Sequence, residues 1–247
     1  MPRDQLEPDI EILPLPDGRE ATLLIRRSVR ARRIVLRVRA AEGGIELVLP
    51  GRASRRRGLA FARSKAGWMA EQLAALPGPV PFEHGAELPV MGATLTLRHS
   101  DDLLAVAWRD GDTLSVGGPP GGMSDRVERW LRELARREIG ARARAKAAAI
   151  GQTPGRITLR DTQSRWGSCT EGGNLNFSWR LVLTPEPVLD YVVAHEVAHL
   201  VEFNHSRRFW RLVGELCAEP EFARKWLRAN GPGLHAYGLR RRSLQAL

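Results

Sequence analysis

The stretch Leu189-Asp190-Tyr191-Val192-Val193-Ala194-His195-Glu196-Val197-Ala198-His199-Leu200 decides the reading of this chain. Thr184-Pro185-Glu186 stands just before it, with threonine suited to an N-cap and proline to a first turn, so the segment is expected to be a helix. Residues four apart on a helix share a face, so His195 and His199 can offer two imidazoles to one ion. Glu196, one position along, can reach a water on that ion without ligating it. Zinc brings the pKa of such a water to about 7, after which a carboxylate can take its proton and pass it to a leaving amine. Two histidines do not close a zinc site. His205 is the expected third ligand, and Asn204 can supply the turn that brings it back. Glu202 and Glu215 are the competing carboxylates, Glu215 lying on a next helix for which Ser206 is the expected N-cap. The expected cofactor is one Zn²⁺ on His195, His199 and His205, with Glu196 as the catalytic residue.

Upstream, Asn174 to Leu183 alternates, with Leu175, Phe177, Trp179 and Leu181 on one face and Asn174, Asn176, Ser178 and Arg180 on the other. This predicts a half-buried strand at a sheet edge, along which a peptide could lie through main-chain hydrogen bonds. Asn174 and Asn176 are therefore substrate-binding candidates. Arg165 and Trp166 fall in a glycine-containing turn. Arg165 reads either as a cleft-rim group for a substrate carbonyl or carboxylate, or as the buried partner of an acid such as Asp161, beside a core Trp166. Cys169 reads as a small buried residue rather than a nucleophile. His235 and Tyr237 sit in a glycine-flanked tail, from which either could donate to a developing oxyanion or simply pack.

The whole chain has 247 residues, 43% hydrophobic and 27% charged, which excludes a wholly disordered chain or a low-complexity fibre. No apolar stretch is long enough for a bilayer, no secretory leader is visible, and two cysteines do not make a disulfide framework, so the expected location is the cytoplasm. The net charge is +10, carried by 38 basic residues of which only Lys65, Lys146 and Lys225 are lysine. Residues 21–63 hold twelve arginines against Glu42 and Glu46, a patch that offers nucleic acid as a partner or else is a solvated face. Residues 1–20 read as a loose lead-in and residues 21–120 as a β-rich, arginine-rich part. That part is expected to hold strands at 23–25, 34–38 and 45–50, a helix from Ser54 to Leu76, and strands at 94–98, 103–108 and 113–116. The run Gly117-Gly118-Pro119-Pro120-Gly121-Gly122 is the expected linker, after which Ser124 caps a helix to Ile150. No internal repeat is visible. The fold class is α+β, a β-rich amino-terminal part followed by a small sheet with a backing helix and a metal-binding helix over 123–247.

The spacing H-E-x-x-H-x-x-x-x-x-H equals that of the metzincins, but Glu202 replaces their turn glycine and no methionine follows His205. Arg165-Trp166-Gly167-Ser168-Cys169, Asn174 to Leu181, Leu189 to Leu200, Asn204-His205-Ser206 and Phe209-Trp210, in this order, resemble the YgjP-like zinc metallopeptidases, relatives of SprT-like proteins. The resemblance covers most of residues 123–240 and, more weakly, 23–50 and 63–68. It implies a minimal zincin-like catalytic domain, a zinc site at His195, His199 and His205, and Glu196 as acid–base residue. Hydrolysis of peptides is the function expected first. A metal-dependent phosphohydrolase acting on nucleotides and a nucleic-acid-recruited, SprT-like protease are the alternatives.

Overall fold

The computed structural model describes residues 9–39, 44–75, 78–102, 106–162 and 165–238. The backbone divides into two units, Met1–Gly78 and Pro79–Leu247. The architecture is α+β, as expected.

The first unit contains β1 (Asp9–Pro14), β2 (Glu20–Ser28), β3 (Val35–Arg39) and β4 (Gly44–Pro50), followed by α1 (Arg55–Ser64) and α2 (Ala66–Ala74). The sheet order is β1-β2-β4-β3, with β2 and β4 parallel and the other pairs antiparallel. Asp9–Pro14, expected as lead-in, is the edge strand β1. The acids that make it look polar, Asp9 and Glu11, are ion-paired to Arg55. The expected helix from Ser54 is two helices broken at Lys65, with Ser54 accepting from Arg57 N at 3.3 Å; Leu76 lies outside the described residues. Leu23, Ile45, Leu47, Leu49 and Met69 are fully buried and form this unit's own core. Each contributes about 1.5–3 kcal/mol relative to an exposed position.

The second unit opens with β5 (Glu87–Val90), β6 (Ala93–His99), β7 (Trp108–Asp110) and β8 (Thr113–Val116) in the order β5-β6-β8-β7. Here too the middle pair is parallel and the outer pairs antiparallel, so the two sheets share one topology that the sequence does not display as a repeat. Of the strand expected at 103–108, residues 103–105 lie outside the described set and β7 starts at Trp108. The glycine–proline run does not separate compact units. It makes a short 3₁₀ turn, Pro120–Gly122, into α3 (Met123–Ala149), and Leu95, Leu97, Leu114 and Val116 share a core with Val127, Leu131 and Ile139 of that helix. Glycine and proline serve a tight turn between packed elements as well as a linker. Ser124 lies inside the helix rather than capping it, because the start falls at Gly122.

The rest of this unit follows: β9 (Ile157–Arg160), β10 (Gly167–Cys169), β11 (Leu175–Ser178), α4 (Glu186–Ala198), α5 (Arg207–Leu216) and α6 (Pro220–Asn230). The three strands are ordered β10-β11-β9, so β11 is central, antiparallel to β10 and parallel to β9. The strand expected from Asn174 to Leu183 stops at Ser178, and Trp179–Leu183 is a buried 3₁₀ segment. Arg180, expected on an outer face, is inside it. Its guanidinium binds Asp161 at 2.8 Å and the carbonyls of Leu234 and Tyr237 at 3.1 and 2.8 Å, which ties the 3₁₀ turn Gly231–Ala236 to the sheet. No helix among the described residues is long and apolar enough to cross a membrane.

Candidate metal centre

Helix α4 is apolar around nearly its whole circumference, with Val188, Leu189, Val192, Val193, Ala194, Val197 and Ala198 all buried, as a helix packed on every side must be. Pro185, not Thr184, occupies its N-cap; the Thr184 hydroxyl donates to Leu181 O at 2.8 Å and closes the preceding 3₁₀ segment. Lys146 of α3 binds Asp190 of α4 at 2.8 Å and so fixes the helix against its backing. Its last turn then carries His195 and, just beyond, His199.

Ser206 caps α5 as expected, accepting from Phe209 N at 3.2 Å, and the residue before it, His205, turns back toward α4. Ligand atoms of His195, His199 and His205 all lie within 4.8 Å of one another. The Nε2 atoms of His195 and His205 are 3.2 Å apart, close to the separation of about 3.3 Å between two nitrogens of a tetrahedral zinc with bonds of 2.0–2.1 Å. His199 Nδ1 faces Glu202 O at 3.0 Å, which makes Nδ1 the N–H donor and leaves Nε2 with its lone pair for a ligand. Glu202 thus takes part through its carbonyl. Glu215 sits in an exposed pair with Arg211, so the competing carboxylates do not complete the cluster. Phe209, fully buried, has its ring centroid 4.6–4.9 Å from all three imidazoles and forms a floor beneath them.

The electrostatics suit a cation. Burial, helped by the neighbouring histidines and Arg224, pushes His195 down to about 4, and burial also lowers His199, so both are neutral near pH 7 and able to ligate. His195 Nδ1 is buried with no hydrogen-bond partner among the described residues. Three imidazoles are a donor set that fits zinc and leaves one tetrahedral position for another ligand. Glu196 is 6% exposed, and burial raises its carboxyl to about 7 against the opposing charge of Arg165.

A model of the YgjP-like metallopeptidase domain matches residues 32–230. The chain belongs to the YgjP-like family. The match begins in the first unit, so the YgjP-like region takes in β3, β4, α1 and α2 as well as the histidine cluster. Membership makes the chain a metal-dependent hydrolase of the metallopeptidase kind. No curated protein and no solved structure matched it.

The other sequence candidates of this YgjP-like chain fall differently. Arg165 is exposed and its charge acts on Glu196; Asp161, suggested as its partner, is held by Arg180 instead. Trp166 is partly buried against the core and stacks on His235 with centroids 5.5 Å apart. Asn174 Oδ1 accepts from Arg156 N at 2.8 Å, which gives it a part in the turn, and Asn176 lies on the central strand, whose edges are both taken. Tyr237 bridges to Val80, while the tyrosine beside the cluster is Tyr191, 5.9 Å from the His195 ring. The Cys169 thiol is pushed up to about 11 by burial and by Glu196, which leaves no thiolate for a nucleophile at neutral pH. One residue that sequence reasoning missed is Gly167. It lies on β10 where a side chain would collide with Glu196, and a glycine inside a strand was the available signal.

Proposed function

We propose that this chain is a zinc peptidase of the cytoplasm in which His195, His199 and His205 hold one ion and Glu196 is the acid–base residue. The observation that carries the reading is the convergence of three imidazoles beside the buried carboxylate of Glu196. Bound zinc would supply a Lewis acid and an acidified water. Glu196, with a proton affinity near neutrality, suits both directions of transfer: its carboxylate takes a proton from water and returns it to the leaving amine. His199 is kept in one tautomer by Glu202 O. The exposed guanidinium of Arg165, which acts electrostatically on Glu196, suits a substrate carbonyl at the same place.

A peptide substrate needs an unpaired strand edge. Because β11 is central, we assign that role to the outer edge of β10, Gly167–Cys169, whose glycine abuts Glu196. Two free cysteines and no described disulfide suit a reducing compartment. The reading is tested by exposing a peptide library to zinc-loaded wild type and to Glu196→Gln. Cleavage by the wild type, with a loss of at least about a hundredfold in a variant that still holds its metal, supports it. Phosphate release from nucleoside triphosphates without peptide cleavage would replace it with the phosphohydrolase reading.

A further inference from the structure

The first unit carries a groove of about 950 Å³, lined from the start of β3, the β4–α1 turn and helices α1 and α2. Hydrolysis at the histidine cluster gives it no role. Arg32, Arg33, Arg52, Arg57 and Lys65 line it, and no acidic residue is among the described residues that do. Four of this unit's described acids are engaged elsewhere. Asp9 and Glu11 hold Arg55, Asp17 holds Arg19, and Glu46 gathers Arg26, Arg37 and Arg39. Among the described residues none of the five groove cations has an ion pair, so their charge faces the groove uncompensated.

The floor is of another kind. Ile34, Leu36, Phe61 and Trp68 contribute apolar and aromatic surface, and the Trp68 side chain is 39% exposed although its helix packs against the core. Exposed tryptophan beside five cations calls for a ligand that is both anionic and planar. A duplex offers phosphates but keeps its bases stacked inside, and would leave the aromatic floor unused. An acidic peptide matches the charge but not the ring. A single strand presents one phosphate per nucleotide and bases free to stack, which matches both features.

We propose that this groove binds single-stranded nucleic acid, with phosphates on the five cations and a base stacked on Trp68. The residues that line it, from Arg32 to Trp68, all lie within the range that the family match covers.

The test is fluorescence anisotropy of the full-length protein with labelled dT15 and rU15, which separate DNA from RNA, at several salt concentrations. Binding is expected to weaken with salt at a logarithmic slope of about 3 to 4, from about 0.7 per neutralised phosphate. Trp68→Ala is expected to weaken binding about tenfold with the slope unchanged, and Trp68→Phe to restore most of it. Arg57→Ala is expected to reduce the slope by about 0.7. Thermal melts of each variant show that it is folded. No binding, equal displacement by polyglutamate or by a duplex of the same length, or a Trp68→Ala protein that binds like wild type would each overturn the proposal. Since the readout is binding alone, it stands or falls separately from hydrolysis.

Discussion

Gly167 and Glu196 share one volume: a β-carbon at Gly167 would stand 2.5 Å from Glu196 Cγ and 2.6 Å from its Oε1. The backbone of β10 can approach the carboxylate only because residue 167 has no side chain. The group that would have to move is the flexible end of Glu196, so Gly167→Ala is expected to fold and to hold metal while its carboxylate is displaced. A misplacement of about 1 Å costs about a hundredfold in rate. Peptide turnover measured beside metal content should therefore show kcat reduced to that degree with the metal unchanged; unaltered turnover would contradict the packing.

Arg180 is the second lever. Its side chain is 7% exposed and makes four hydrogen bonds, two to Asp161 and one each to Leu234 O and Tyr237 O, while its guanidinium lies 4.5 Å from the Trp179 ring centroid. Arg180→Met keeps much of the volume but leaves the carboxylate and two carbonyls without their donor. A loss of about 3 kcal/mol is expected in urea unfolding. A change below about 1 kcal/mol would mean that the tail is held by other contacts.

Asp161 sets the acid limit of the same joint. Burial pushes its carboxyl up, but the hydrogen bonds and charge of Arg180 outweigh that and leave it below its usual 3.8. A group whose folded value is depressed stabilises fully above its unfolded value and loses that contribution as pH falls through the folded one. Asp161→Asn is therefore expected to have a lower Tm than wild type at pH 7, with the gap closing below about pH 4. A gap that stays constant down to pH 2 would remove Asp161 from the acid response.

What was legible in the sequence was local. The four-residue interval of His195 and His199 is a property of helix geometry, and Ser206 announces the cap that returns His205, so the cluster could be read without knowing the fold. The β3–β4 hairpin is local in the same sense. What failed depended on partners far along the chain. Asn174–Ser178 alternates as an edge strand would, but its parallel pairing with Ile157–Arg160 makes it central, and nothing in its own residues specifies that neighbour. Arg180 looks solvent-facing by period until Leu183, where the strand has already become a 3₁₀ segment. The unit boundary at Gly78 and Pro79 was overshadowed by the richer glycine–proline run at 117–122, which is a turn. Gly167 matters only because Glu196 comes to it from a helix 29 positions later in the sequence.

The central claim is that three imidazoles converge on one metal ion, and metal content measures this most directly. Elemental analysis of the purified wild type should give one zinc per chain, and His205→Ala, which removes an exposed ring and leaves α4 and α5 intact, should lose most of it while retaining its thermal melt. Wild-type protein without stoichiometric metal after zinc loading, or His205→Ala with undiminished zinc, would contradict the account.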